Sequence, residues 1–438
     1  MQTRAISIVT AALFVSTAFA QQSDVLVRPE TGEVIELDGP AQLEQVEPRI
    51  PLVPPPPDNP TPPMPTALLT ITSPGSYYLT GNLNGGANFY GIDIQSSNVT
   101  LDLSGYSMVG LAGSLDAITS TTGGTNIIIA NGTIRGWYGD GIDGRKINSA
   151  QIANVLVANC AGDGIAISRG LIEHCQARLC GGTGISVING KGSVAECRAE
   201  ECGSHGIVCG EMSATTGCSS TGNGLNGFIV GRGSTIEDCT GSQNHRDGIA
   251  TLNHSTIRGC TALGNVRDGL RIGNKSVIAG CTANLNDGDG IGSGTGCNIS
   301  GCIANDNGGV GIQGVDATVI TGCTVAENTG VGIKTLGFGA RVTDCRARDN
   351  DNSNAYQIEV ENDSVVLNNA VDNGDLHVIG GYNRIDGNHV TDGSLVVDLG
   401  GNVIVRNSAA NFTINGTNIV GLVRTTITGA GPWDNFDF

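Results

Sequence analysis

The sequence has 438 residues, a formal net charge of −18, 67 glycines, 15% charged residues and only 4% aromatics. The acidic balance excludes the basic stripe expected of a nucleic-acid-binding protein. It suits calcium or a cationic partner, and it serves equally as a solubility device. The 39% of hydrophobic residues, mainly Val, Ile, Ala and Leu, are enough for a long, thin aliphatic core.

In chain order, the first element is an export signal. Arg4 supplies a charged start, Ala5 to Ala18 is short and apolar, and Ala18-Phe19-Ala20 fits a cleavage site before Gln21. Residues 1–20 are therefore expected to be a signal peptide, and the mature protein to be secreted, periplasmic or at the cell surface. No later segment approaches the roughly 18 apolar residues of a membrane span. Residues 21–66 are acidic and Pro-rich, ending in PRIPLVPPPPDNPTPPMP. Pro lacks an N–H and fixes φ, so this stretch is expected to be an unfolded, extended linker.

The remainder repeats. Cys175, Cys197, Cys218, Cys239, Cys260, Cys281, Cys302, Cys323 and Cys345 are separated by 21 or 22 residues. A typical unit is TIEDCTGSQNHRDGIATLNHS, residues 235–255. Five residues after each cysteine runs a second column: Cys180, Cys202, Asn223, Asn244, Asn265, Asn286, Asn307, Asn328 and Asn350. Upstream, Asn154 and Asn159 are assigned to the same two columns. Downstream the cysteine column becomes Asn369, Asn388 and Asn407. Asn tolerates left-handed backbone, and stacked amides bond one another along a solenoid. The unit is too short for helical repeats, and its β-branched segments of 3–5 residues fit strands. The fold expected is all-β: a single-stranded right-handed parallel β-helix of roughly 14 coils stacked about 4.8 Å apart. It spans residues 67–438, with caps at about 67–97 and 419–438 over the exposed strand edges.

These residues resemble the parallel β-helix repeat family, the fold of pectate lyases and related polysaccharide enzymes. The resemblance covers about residues 68–438. The opening ITSPGSYYLTGNL with NVTLDLSGYSMVG, and the ending GPWDNFDF, resemble the termini of exported bacterial β-helix proteins, most of them without an assigned activity. The resemblance implies that the strand after each Gly-Ile step floors a substrate groove. The hydrolase pattern of this fold and the Asp-Pro-His-Asp motif of alginate epimerases do not occur.

The fourteen cysteines read either as a buried thiol stack or as adjacent disulfides, since equivalent Cα atoms about 4.8 Å apart fall within disulfide range. Cys180 and Cys202 are the favoured pair. No CxxC pair supports zinc.

Chemistry centres on the residue before each Gly-Ile step. Asp247, Asp268 and Asp289 follow one another at 21-residue spacing. Stacked carboxylates raise one another's pKa or recruit a cation, so this column is the candidate for general acid work and for calcium. Arg271 is the candidate cation for catalysis. Arg246, Arg267, Gln313 and Lys334, together with Trp137 and Tyr138 for stacking on a sugar ring, are the candidate substrate contacts. Asp-Gly is also a favoured turn dipeptide that needs no further role. Three functions follow: polysaccharide binding along one groove; a polysaccharide lyase, hydrolase or epimerase; and a surface spacer or adhesin.

Overall fold

The computed structural model describes residues 25–27, 34–36, 49–55, 66–351, 356–424 and 430–437. The expected signal peptide lies outside the described residues, as does most of the expected linker. The chain divides into two units, Met1–Pro48 and Arg49–Phe438. In the first, Val25–Val27 pairs antiparallel with Val34–Glu36.

In the second, every described element is a β-strand, most of them three residues long. Each pairs in parallel with its equivalent one coil on, which builds three sheets along the solenoid. In sheet 1, Ile249–Thr251 pairs with Leu270–Ile272. In sheet 2, Thr256–Arg258 pairs with Val277–Ala279. In sheet 3, Thr261–Leu263 pairs with Thr282–Asn284. The parallel β-solenoid has about 16 turns.

The residues that enter the core are set by strand position. Sheet 1 turns in its first residue (Ile249, Leu270, Ile291), sheet 2 its middle residue (Ile257, Ile278, Ile299), and all are buried. Sheet 3 turns in a small one (Ala262, Ala283, Ala304), because sheet 1 crowds it. A Cβ on Gly248 would sit 2.6 Å from Asn265 Nδ2, 2.8 Å from the Gly269 carbonyl and 3.0 Å from Ala262 Cβ. The Gly of the Gly-Ile step is thus required by close approach. Turn preference does not explain it, since Gly248 is not among the residues with positive φ.

Three corners join the sheets, each with one left-handed residue followed by a residue whose N–H points along the solenoid axis. Asp238 (φ 51°), Gln243 (φ 54°) and His254 (φ 62°) are the left-handed residues of one coil. The N–H after each corner is met by a side chain from the next coil. In the cysteine column the Cys218 N–H donates to Cys239 Sγ at 3.4 Å, and that thiol donates to the Glu237 carbonyl at 3.1 Å. In the asparagine column the Asn265 N–H and side-chain amide both donate to Asn286 Oδ1, at 3.0 and 2.8 Å. A third column is built of serine: the Ser213 N–H donates to Ser234 Oγ at 3.0 Å, and Asn383, Asn402 and Asn418 continue the column.

This geometry corrects two expectations. The ladder Asn residues are not the left-handed ones; the preceding residues are. Asn154 and Asn159, with φ of 55° and 54°, are themselves left-handed corners, so the ladder positions there are Val155 and Cys160, one residue later. Ala153 opposing Glu173 fixes that register. All fourteen cysteines are buried free thiols, the thiol-stack reading, and Cys180 and Cys202, the pair favoured had disulfides formed, are not joined. Their sulfurs lie 3.6 and 3.5 Å from the carbonyls of Arg178 and Glu200. Hydrogen bonding to Cys160, with burial adding to it, pushes the Cys180 thiol up to about 12. A neutral thiol is the form that can donate to a carbonyl and is a poor nucleophile.

The ends also differ from expectation. Thr66–Ile71, Gly75–Leu79 and Leu83–Asn84 are the three strands of a coil, each pairing with the coil that follows. Ile50–Leu52, placed by its prolines in the linker, adds to that coil against Tyr77–Leu79, where Leu52 is buried. At the other end Asn435–Asp437 pairs with the last strand of sheet 3. Asn435 Oδ1 accepts the Asn407 N–H at 2.9 Å and closes its column.

Asn286→Ala removes the acceptor for two buried donors of Asn265 and is expected to cost about 2–4 kcal/mol, read as a lower urea midpoint. Cys239→Ser keeps an acceptor for the Cys218 N–H, whereas Cys239→Val does not. The serine variant is expected to unfold at the higher urea concentration of the two.

Candidate functional site

The outward face of sheet 1 presents the middle residue of each strand. In order these are Ala166, Ser186, Val208, Ile229, Ala250, Arg271, Gly292, Gln313 and Lys334, and then Glu359 and His377. Beside it runs the column of residues that precede the Gly-Ile step. Most of its carboxylates serve as rungs: Asp268 Oδ1 accepts the Asp289 N–H at 3.0 Å, and Asp289 Oδ1 accepts the Val310 N–H at 2.8 Å. Upstream, Asp116, Asp140 and Asp163 do the same for the coils that follow them.

Asp247 departs from this pattern. It is 2% exposed, and its Oδ1 is closed to solvent and lacks a hydrogen bond of normal geometry, although the Asp268 N–H still acts on the carboxylate. Its Oδ2 lies 3.4 Å from Asn226 Nδ2 and 3.9 Å from an Arg271 nitrogen. Burial raises its pKa, the Asp268 charge raises it further, and Arg271 and the Asp268 N–H pull against both. A concavity of about 430 Å³ opens there, lined by Asn226, Ile229, Asp247, Ala250, Leu252 and Arg271 among others. Ala250 is the reason for the hollow: between Ile229 and Arg271 the outward side chain shrinks to a methyl. The Arg271 side chain is 66% exposed. Arg246 and Arg267 are exposed on the adjoining turns, one coil apart. A larger depression of about 590 Å³ elsewhere on the solenoid has Lys191 as the one charged residue in its lining.

The structure therefore brings Asp247 and Arg271 together, with Arg246 and Arg267 on the flanking turns. Asp268 and Asp289 do not line the concavity. Gln313 and Lys334 lie two and three coils beyond Arg271 on the same face, roughly 10 and 14 Å at strand spacing. Trp137 must be reassigned. It is 1% exposed, its indole N–H donates to the Met108 carbonyl at 3.3 Å, and its ring lies where side chains on Gly85 and Gly91 would be. It fills the core and cannot stack on a ligand. Tyr138 is exposed but sits five coils from Asp247, about 24 Å away. Among the described residues no group of three or more His, Cys, Asp or Glu is placed to hold a metal, and Asp268 and Asp289 each use one carboxylate oxygen on a backbone N–H. Excess calcium or a chelator is expected to leave the urea midpoint unchanged.

Two charged clusters on this face escaped the sequence reading. Arg145 pairs with Asp140 at 2.5 Å, with Asp143 at 3.0 Å and with Asp163. Beside it Asp116 is raised to about 6, mainly by burial and then by the Asp140 and Asp143 charges. Further along, Lys334 pairs with Glu359 at 2.6 Å, His377 Nε2 lies 2.9 Å from Asp398, and the Tyr356 ring lies 4.3 Å from the His377 ring. Glu359 and His377 are buried. The signal was present, because the outward column simply continues past Lys334. Coil length changes there, with Glu359 25 residues after Lys334 and His377 18 residues after Glu359, so a fixed period steps off it.

His377 is raised from its ordinary value, chiefly by Glu359 and then by Asp398. The stability it contributes is full below the unfolded histidine value of about 6.5 and is lost as pH rises through its folded value. Wild-type protein is expected to show a lower urea midpoint at pH 9 than at pH 6, and His377→Gln to shrink that difference.

Residues 194–318 match the family model described as "Right handed beta helix region". The fold and this match define a right-handed parallel β-helix protein. Among solved structures, the chain is similar to the periplasmic alginate epimerase AlgG, at 14% identity over 62% of this chain and 78% of that one, with a TM-score of 0.42. It is also similar to the Azotobacter vinelandii mannuronan C-5 epimerase AlgE6 A-module, at 13% identity over 83% and 90%, TM-score 0.29. A third likeness is to the Agl-KA catalytic domain, at 11% identity over 66% and 62%, TM-score 0.37. No match was found among curated proteins. No described helix is long and apolar enough to cross a membrane.

Proposed function

We propose that this chain is an exported β-helix protein that holds a polysaccharide along the outward face of sheet 1 without turning it over. The observation that carries this reading is the concavity of about 430 Å³ on this face, where Asp247 and the exposed Arg271 stand beside apolar side chains. The Arg271 guanidinium offers N–H donors to sugar hydroxyls. Ile229, Ala250 and Leu252 in the same wall give an apolar surface suited to the C–H face of a sugar ring. Along the same face the next outward residues after Arg271 are Gly292 and then Gln313. A chain of sugars can continue there, one coil after another at about 4.8 Å each.

Binding is favoured over turnover because only one of the three expected carboxylates, Asp247, lines the concavity. Paired-carboxylate hydrolysis needs two, and Asp268 and Asp289 each bond a backbone N–H. The export reading rests on the pattern of residues 1–20.

Affinity electrophoresis and calorimetry across neutral and acidic polysaccharides are expected to find at least one ligand. Asp247→Asn or Arg271→Ala should weaken it at least tenfold with the circular dichroism spectrum unchanged. Appearance of new reducing ends or unsaturated product, abolished in Asp247→Asn, would replace binding with catalysis.

A further inference from the structure

We infer that the glycan held on this face carries an anionic substituent (a sulfate, phosphate or carboxylate group) within an otherwise uncharged stretch, and that Arg246, Arg267 and Arg271 bind it. The inference rests on the polysaccharide-binding reading above and names the chemical class of its ligand. Charge along the solenoid is the first observation. The whole chain has a net charge of −18. Over residues 226–286, however, the strands of sheet 1 and the corners beside them carry Arg232, Arg246, Arg267, Arg271 and Lys275, all exposed, against Asp247 and Asp268. Asp247 is buried, and Asp268 already accepts the Asp289 N–H. On either side the sign reverses. Upstream the same face has Asp93, Asp116, Asp140, Asp143 and Asp163 against Arg145, Lys146 and Arg169. Downstream no Lys or Arg occurs from Ser276 to Ile333, while Asp287, Asp289, Asp306, Asp316 and Glu327 do.

The central cations are also unspent. Further along this face Arg145 is paired with Asp140, Asp143 and Asp163, and Lys334 with Glu359. Among the described residues Arg246 and Arg267 are in no ion pair, and Arg271 comes no closer than 3.9 Å to Asp247. The three are neighbours. The Arg267 N–H donates to the Arg246 carbonyl one coil back at 3.3 Å, and Arg267 and Arg271 both act on the Asp247 carboxyl. Like charges about 5 Å apart repel. An oxyanion relieves that repulsion, and its paired oxygens match the planar donors of a guanidinium. Ile229, Ala250 and Leu252, in the wall beside Arg271, take the ring that bears the substituent. A polymer charged on every sugar suits the face poorly. Two coils past Asp247, roughly 10 Å on, its charges meet Asp287 and Asp289 with no cation to offset them. Four coils back, roughly 19 Å, they meet Asp163. The acidic flanks thus favour a glycan whose charge is sparse, and they hold its anionic group in the central coils.

The test is calorimetry on the full chain with glucan, galactan and mannan backbones. Each backbone is used uncharged, lightly sulfated, lightly phosphorylated, lightly carboxymethylated and densely sulfated. In at least one series a lightly charged form is expected to bind at least tenfold more tightly than the uncharged backbone and more tightly than the densely sulfated one. Added salt should narrow that advantage. The winning arm identifies the anionic group. The double variant Arg246→Ala/Arg267→Ala should erase the advantage, whereas Arg341→Glu, an exposed site on sheet 2, should keep it. If the double variant fails to fold, the wild-type comparison of charged and uncharged forms still decides the matter. Equal binding of charged and uncharged forms, or an advantage that survives the double variant, overturns the anionic assignment and leaves polysaccharide binding standing. Tightest binding by the densely sulfated form overturns the isolated substituent. Failure of every glycan overturns both readings.

Discussion

The structure depends on how it meets one backbone N–H at each corner. A parallel coil turns by placing a residue in the left-handed region, and the N–H that follows then points along the solenoid axis. That buried donor must be satisfied, and here a side chain from the next coil satisfies it. The chain meets this demand with Cys, Asn or Ser, three small groups that can accept an N–H and donate in turn to a carbonyl. The cysteine column passes into asparagine at Cys345 and Asn369 (2.9 Å). The asparagine column ends where Asn350 meets Gln357, whose amide takes the place of the next rung at 2.7 Å. The columns change chemistry without changing task.

The same demand organises the carboxylates. At the turn before sheet 1 a backbone N–H again needs an acceptor one coil back, and aspartate provides it at Asp116, Asp140, Asp163, Asp268 and Asp289. A column of Asp in this sequence is therefore first a structural rung. Function enters where one member falls out of the pattern. Asp247 has a loosened rung to the Asp268 N–H, a long-range partner in Arg271 and a hollow beside it made by Ala250. Departures from local regularity are where functional sites are expected, and this one coincides with exposed guanidinium groups in a chain of net charge −18.

Much of the fold was legible in the sequence. The 21-residue cysteine register gave coil length and the parallel pairing, and the asparagine ladder followed from it. The serine column and the left-handed corners were not legible. Their residues at the corner itself are varied (Asp238, Gln243, His254, Lys275, Leu285), because the corner constrains backbone rather than side chain. Of the site, the Asp column and Arg271 stood out by spacing. Which Asp was loosened could not be read, since hydrogen bonding to an N–H one coil away leaves no mark on residue type. Trp137 was misplaced for a similar reason. An aromatic beside a turn has one composition whether it faces solvent or fills the core, and the glycines that make room for it lie one and two coils back.

The sequence by itself determined the repeat, the strand positions that turn inward and the columns that stack, because a fixed period converts residue spacing directly into neighbours along the axis. Only the tertiary structure decided which members of each column are engaged. It made rungs of Asp268 and Asp289 and loosened that of Asp247. It also gathered Lys334, Glu359, His377 and Asp398 across coils of unequal length. Engagement depends on a few tenths of an ångström in the approach of one coil to the next, and that distance is set by packing, which a list of residues does not contain.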